Sequence, residues 1–120
     1  MVVGMATACR FFKYKELTCV YAFFNFDEPI TPDDAPIYAK MLRDAIYSYV
    51  IASNVDVRVV VLSGRGPIWF YCIALHRLMH VYQVVAVFDP KLRGAVVVSS
   101  HLAPVKEGEV IPITEVFRDE

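Results

Sequence analysis

Ser63-Gly64-Arg65-Gly66-Pro67-Ile68-Trp69 joins a β-branched run to an apolar helical stretch, and Asp89-Pro90-Lys91 and Ser99-Ser100-His101 follow it. A turn of Ser, Gly and Arg with proline at the first helical position presents unpaired N–H groups at a helix start. There the partial positive charge of the helix end adds to the guanidinium. An anion is the natural guest, and a phosphate above all. The other reading is a tight strand-to-helix connection whose glycines only permit the turn, and a short glycine motif leaves both open.

Other residues that could do chemistry also have a plainer reading. Asp89 before proline can simply open a turn. His76 and His80 lie one helical turn apart, a spacing able to ligate a metal, although His76 falls in an apolar helix and reads as a packed or partner-facing residue. Trp69 and Tyr71 read as core or dimer contacts rather than base-stacking platforms. No nucleophile-elbow motif occurs, and no Cys-His or Ser-His-Asp pattern has a useful spacing.

The elements that must position these groups follow from hydrophobic period. Ala8 to Tyr14 and Leu17 to Phe26 are β-prone runs around Lys15-Glu16, predicting an antiparallel pair. Thr31-Pro32-Asp33-Asp34 supplies a capping residue, a proline and first-turn acids. A helix of about four turns is then predicted from Ile37, Met41, Leu42, Ala45, Ile46, Tyr49 and Val50 at helical spacing. Val57 to Leu62 and Val84 to Phe88 are doubly buried strand runs flanking a helix from Pro67 to about His80. Residues 57–89 therefore form a strand-helix-strand crossover with parallel strands. After the turn Asp89-Pro90-Lys91-Leu92-Arg93-Gly94, Ala95 to Ser100 returns antiparallel, and a last strand is expected over roughly 110–117.

This topology sorts the candidate residues onto two edges. Ser63, Arg65, Asp89, Lys91 and Arg93 share the edge at the carboxyl ends of the parallel strands, where ligands gather in such units. His80 and His101 fall at the far edge. A crossover helix of this length spans roughly 20 Å at 1.5 Å per residue, so His80 and Asp89 of one molecule should not meet. If they cooperate, they do so across an interface between molecules.

Composition narrows the class. With 120 residues the chain is read as a single domain, residues 1–120. Hydrophobic residues make up 57% and mean hydropathy is +0.44, which points to apolar surface covered by another subunit. Charged residues interrupt every apolar run before it reaches bilayer length, so a membrane protein is not indicated. The first eight residues lack a basic start leading into a signal-peptide core, and the cytoplasm is the default location. Cys9, Cys19 and Cys72 have no metal spacing and read as reduced core residues. A net charge of −1 gives no long-range pull on a polyanion, which favours a small nucleotide gripped by a local basic cluster over duplex DNA.

The motif from Ser63 to Trp69, the histidine at 80 nine positions before Asp89-Pro90, and the run Gly94-Ala95-Val96-Val97-Val98 leading to Ser100-His101 resemble the small CRISPR-associated Csx-three family. Phe23 to Pro32 resembles that family's early strand and its turn, here Pro29-Ile30-Thr31-Pro32. The stretch from Ala35 to Ala52 makes a longer helix than the family needs.

The resemblance implies an α/β domain with a mixed sheet, like the CRISPR-associated nucleotide-sensing (CARF-like) domains, assembled as a homodimer. It implies a manganese-dependent ring nuclease that cleaves cyclic tetra-adenylate and ends a second-messenger alarm. Dimers would stack head to tail around the nucleotide, with catalytic residues drawn from both. Two further substrates or roles stay open: a manganese-dependent exonuclease on the 3′ adenylate tails of RNA, and a sensor that binds the cyclic nucleotide without cutting it. Carried over by position, Ser63 and Arg65 would contact ring phosphates, with Gly64, Gly66, Arg93 and His101 completing the binding set. Asp89 would act in catalysis or metal organisation, and His80 of the facing dimer would bind manganese or serve as acid or base. Lys91, counted with His80 and Asp89 in the catalytic set, stands where the family has arginine, with Arg93 two residues on, and a lysine lacks the bidentate guanidinium grip. Where this chain has Met79-His80, family members can show a histidine pair.

Overall fold

The structure, a computed structural model, describes residues 4–113. β1 (Met5–Tyr14) and β2 (Leu17–Phe26) form a hairpin in full register, Met5 opposite Phe26 and Tyr14 opposite Leu17. Its two-residue turn is Lys15-Glu16, both at positive φ (49° and 64°), the left-handed pair that matches the twist of the flanking strands. The chain then passes through α1 (Ala35–Ser53), β3 (Val59–Arg65), α2 (Ile68–Met79), β4 (Val84–Asp89), β5 (Gly94–Ser100) and β6 (Val110–Pro112).

The strands form one mixed sheet in sequence order, β1 to β6. β2, β3 and β4 are mutually parallel and the other pairings are antiparallel. The crossover over residues 57–89 is therefore present as expected. A second one, β2-α1-β3, makes the parallel core three strands wide. The expected last strand is realised over Val110–Pro112; its continuation from 114 to 117 lies outside the described residues.

Both helices cover the same face of the sheet. Val20, Ala22, Phe24, Val60, Leu62 and Val85 meet α1 through Tyr38, Leu42, Ile46 and Val50, and α2 through Phe70, Ala74 and Leu78. The opposite face buries Cys19, Tyr21, Val59, Val61, Val84 and Ala86 under Ala95, Val97, Val105 and Ile111, because the sheet curls back over itself. Tyr14 and Lys15 at the hairpin tip reach Glu109 just before β6. A central strand buried on both faces must be apolar at every position, which is why β3 opens with Val59-Val60-Val61-Leu62, each fully buried.

Three expectations need correction. The buried row of α1 is Tyr38-Leu42-Ile46-Val50 with Ala35 and Ala39, whereas Ile37 and Met41 face solvent at 58% and 41% exposure; apolar residues on both sides of the helix blur its period. Thr31 does not cap α1. It accepts the Asp34 N–H in a preceding turn, and Asp34 is the cap residue. Cys72 is exposed rather than core, while Cys19 is buried and Cys9 half-buried. Burial pushes the Cys9 thiol up to about 11 and the Cys19 thiol up to about 12, which keeps both protonated and unreactive.

Candidate functional site

β3 and β4 pair only from Val59–Val84 to Leu62–Val87. Beyond that point β3 stays with β2 as far as Asn25–Arg65, and β4 stays with β5 as far as Asp89–Gly94. The parting strands open a crevice of about 730 Å³ at their carboxyl ends, with Ser63, Gly64, Arg65, Phe88 and Pro90 around it and Tyr71 and Cys72 on its helical wall. Parallel sheets bind ligands at this edge because the strand ends and helix starts converge there.

An aromatic cluster holds the motif turn. The Phe24 ring lies 5.2 Å from Phe70 and from Tyr71 and 5.7 Å from Phe26. A Cβ on Gly64 would stand 2.2 Å from the Phe24 carbonyl oxygen, and Gly64 sits at φ +148°, so no other residue fits where β3 presses on β2. The Tyr71 hydroxyl donates to the Gly64 carbonyl at 2.6 Å. Burial raises the pKa of this hydroxyl, which keeps it a neutral donor.

The turn leaves its donors free. Arg65 is exposed and makes no ion pair among the described residues, and the Ser63 hydroxyl, on a residue only 7% exposed, has no hydrogen-bond partner there. Pro67 caps α2 in an extended conformation (φ −69°, ψ 153°) rather than occupying its first turn as expected. The Phe70 and Tyr71 amides turn back onto the Pro67 carbonyl, leaving those of Ile68 and Trp69 as the open N–H groups of the helix start. Guanidinium, hydroxyl and amides together suit an anion.

The remaining predicted residues separate as the topology requires. Asp89 closes β4 beside the crevice and performs the plain turn role: its Oδ1 accepts the Lys91 N–H at 2.9 Å. Lys91 and Arg93 extend from the same turn without a carboxylate partner among the described residues. Gly66 is exposed against the rings of Phe24 and Phe26. His80 caps the far end of α2, and His101 lies at that same edge, its N–H on the Gln83 carbonyl at 2.8 Å. One chain thus gathers Ser63, Gly64 and Arg65 at the crevice, with Asp89, Lys91 and Arg93 adjoining, and excludes both histidines.

Sequence reasoning overlooked Tyr71 and Cys72 as crevice walls. Tyr71 follows Pro67 by four residues, so the first turn of α2 folds its side chain back toward the glycine turn; that spacing was available as a signal. Of the two readings of His76, packed or partner-facing, packing within the chain does not hold. His76 is exposed, with its Nε2 3.4 Å from that of His80.

Manganese favours several oxygen donors. Asp89 is the sole carboxylate of its turn, His80 has another imidazole as its neighbour, and no group of three or more His, Cys, Asp or Glu residues able to hold a metal occurs among the described residues. The donors of one chain, among the described residues, do not gather into a set that fits this ion.

The fold and site define an α/β protein with a largely apolar crevice, bordered by Ser63 and Arg65, at the carboxyl ends of parallel strands. Residues 50–112, just over half of the chain, match the family described as CRISPR-associated protein (Cas_csx3). The chain belongs to this CRISPR-associated family. An uncharacterized protein of Aquifex aeolicus (strain VF5) is 56% identical over 52 residues, which are 43% of this chain and 46% of that relative. The match therefore spans about half the length of the relative. Among the described residues no helix is long and apolar enough to cross a membrane.

Proposed function

We propose that this protein binds cyclic tetra-adenylate at the carboxyl-edge crevice and cleaves it as a ring nuclease, using a site completed by a second molecule. The observation that carries this reading is the crevice itself, where Arg65, Ser63 and the open amides of α2 have no partners among the described residues. A cyclic nucleotide presents several phosphates and bases to such a surface. Arg65 and Ser63 grip phosphate oxygens, while Lys91 and Arg93 add positive charge beside them.

The catalytic division of labour follows from the two edges. Asp89, held by the Lys91 N–H, keeps its second oxygen free to orient the reacting groups. His80 must arrive from a facing molecule, because α2 carries it away from the crevice. There an imidazole takes the proton of the attacking oxygen or returns one to the leaving oxygen. In this reading the homodimer stacks head to tail around the ligand. Manganese enters only with donors that a second chain or the phosphates would add.

Incubating the purified protein with cyclic tetra-adenylate and with linear oligoadenylate, each with and without manganese, tests the reading. Opening of the ring is the expected result. Trimming of linear adenylate from its 3′ end alone would replace it with the exonuclease, and tight binding without any cleavage would replace it with a sensor. Sedimentation with a slowly cleaved analogue should show species larger than the dimer; dimers that stay dimers at saturating ligand would remove the composite site.

A further inference from the structure

We propose that the groove between α1 and α2 is a second oxyanion site, in which Arg43 and Arg77 bind a phosphate group. A cavity of about 780 Å³ lies between the two helices, and among the described residues Cys72 alone borders both it and the carboxyl-edge crevice. The α2 wall is Ile73, His76, Arg77 and His80, at i, i+3, i+4 and i+7 and therefore on one face of the helix. Pro36 and Arg43 close the groove from the α1 side.

The charge in this groove is unbalanced. Among the described residues no carboxylate lines it. Arg77 is half-buried, and its guanidinium has neither an ion pair nor a hydrogen bond among the described residues. Stripping water from a cation without supplying a partner is unfavourable, and an oxyanion from outside restores what is missing. Asp44 holds Arg43 in place, its Oδ1 accepting from Nε at 3.3 Å and from Nη2 at 3.2 Å. The same carboxylate accepts from Lys40 at 2.7 Å through its other oxygen, so Lys40, Arg43 and Asp44 together keep a net positive charge. His76 and His80 pair with each other through Nε2 at 3.4 Å. In a neutral pair of this kind the accepting ring carries its proton on Nδ1, which leaves one N–H for a ligand.

The carbonyls at the end of α2 oppose an anion, with a partial charge of about half a unit. Two whole guanidinium charges outweigh it. A planar carboxylate is satisfied by a single guanidinium fork, whereas donors arriving from α1, from α2 and from an imidazole suit the several oxygens of a tetrahedral phosphate. Two sources supply that group: an inorganic phosphate, or a phosphodiester of the nucleotide presented by a facing molecule. The second source rests on the composite-site reading proposed above; the first stands without it.

Calorimetric titration of the full chain carrying Arg65→Ala with inorganic pyrophosphate, in metal-free buffer, reads the groove with the crevice disabled. One pyrophosphate per chain is expected. Adding Arg77→Ala should weaken binding by at least about tenfold, the scale of a charge-assisted hydrogen bond, while Arg77→Lys should retain part of the affinity. Arg43→Ala should weaken it less, because Asp44 already engages part of that guanidinium. Each protein should melt at the temperature of its parent without ligand, and glutarate, a dicarboxylate, should bind more weakly than pyrophosphate. No pyrophosphate binding, an affinity unchanged by Arg77→Ala, or equal affinity for glutarate would overturn the site. Sedimentation with a slowly cleaved analogue of cyclic tetra-adenylate separates the two sources. If the nucleotide supplies the phosphate, Arg77→Ala alone should still bind the analogue at the crevice yet stay dimeric where wild type forms larger species. Undiminished stacking beside weakened pyrophosphate binding would assign the groove to inorganic phosphate. Absence of ring cleavage would overturn the nuclease reading and leave the pyrophosphate result standing.

Discussion

The two edges of the sheet treat their charges in opposite ways. At the amino end, the Tyr14 hydroxyl and the Lys15 ammonium both engage Glu109, Lys15 also donates to the Pro104 carbonyl at 2.9 Å, and Arg58 reaches Asp56 and Gln83. At the carboxyl end, Arg65, Lys91 and Arg93 find no carboxylate among the described residues. The contrast separates scaffolding from recognition. Cations at one edge tie the hairpin tip to the last loop and hold the curl, whereas those at the other stay available for an anion from outside.

The division is broken most severely by removing one group from each edge. His80→Ala and Asp89→Ala should each lose about 10²- to 10⁴-fold in ring cleavage, the scale of positioned acid–base groups. Mixed after purification, the two proteins should recover part of the activity, because the intact Asp89 edge of one molecule can face the intact His80 edge of the other. Cleavage assayed at concentrations where wild type is fully active decides the matter. A mixture no better than the sum of its parts would mean that the edges do not cooperate.

Gly64→Ala attacks the carboxyl edge from beneath. A methyl group there meets the Phe24 carbonyl at 2.2 Å and the Phe24 ring at 2.7 Å, at a φ of +148°. Strain and overpacking together should cost about 3 kcal/mol in denaturant unfolding. A variant as stable as wild type would show that β2 and β3 can part without loss.

Arg65→Ala and Lys15→Ala sharpen the contrast as a pair with opposite signatures. Arg65→Ala should weaken cyclic nucleotide binding by about 1.5–3 kcal/mol, the range of a charge-assisted hydrogen bond, while leaving the melting temperature unchanged. Lys15→Ala should lower the melting temperature and leave binding alone. Calorimetry and thermal unfolding on both proteins check the exchange, and equal effects on both readouts would erase the distinction between edges.

How far the sequence announced this arrangement depended on how strongly burial constrained each segment. Val59-Val60-Val61-Leu62 and Val84-Val85-Ala86 could be read as central strands because a strand covered on both faces tolerates nothing else. The crossover between them then placed Ser63 and Asp89 on one edge and His80 on the other. The parallel pairing of β2 with β3 was not legible, since the unbroken apolar run from Cys19 to Phe24 suits a hairpin strand and a sheet interior alike. Nor was the true face of α1, because Ile37, Met41, Tyr47 and Ile51 remain exposed at 41–59% and compete with the buried row. Local spacing could bring His76 and His80 to one face of a helix, but their exposure depended on how α2 rotates over β3 and β4. Period alone does not set that rotation when nearly every position is apolar.

The smallest effect lies at the closed edge and depends on pH. Lys15, Tyr14 and the Lys106 N–H hold the Glu109 carboxyl down to about 2, below the ordinary value of 4.5. A depressed folded-state pKa contributes stability that is fully present above the unfolded value and fades as pH falls through the folded one. Glu109→Gln removes that contribution, so the variant should melt below wild type at pH 7 by a margin that is constant down to about pH 4.5 and closes between there and pH 2. Other carboxylates titrate in the same window, and taking the difference between the two proteins at each pH removes their share. Because Glu109 lies at the surface, added salt should shrink the margin at neutral pH. A difference that stays constant down to pH 2 would show that Glu109 acts through packing or hydrogen bonding rather than through its charge, and the amino edge would then be closed by shape instead of ion pairing.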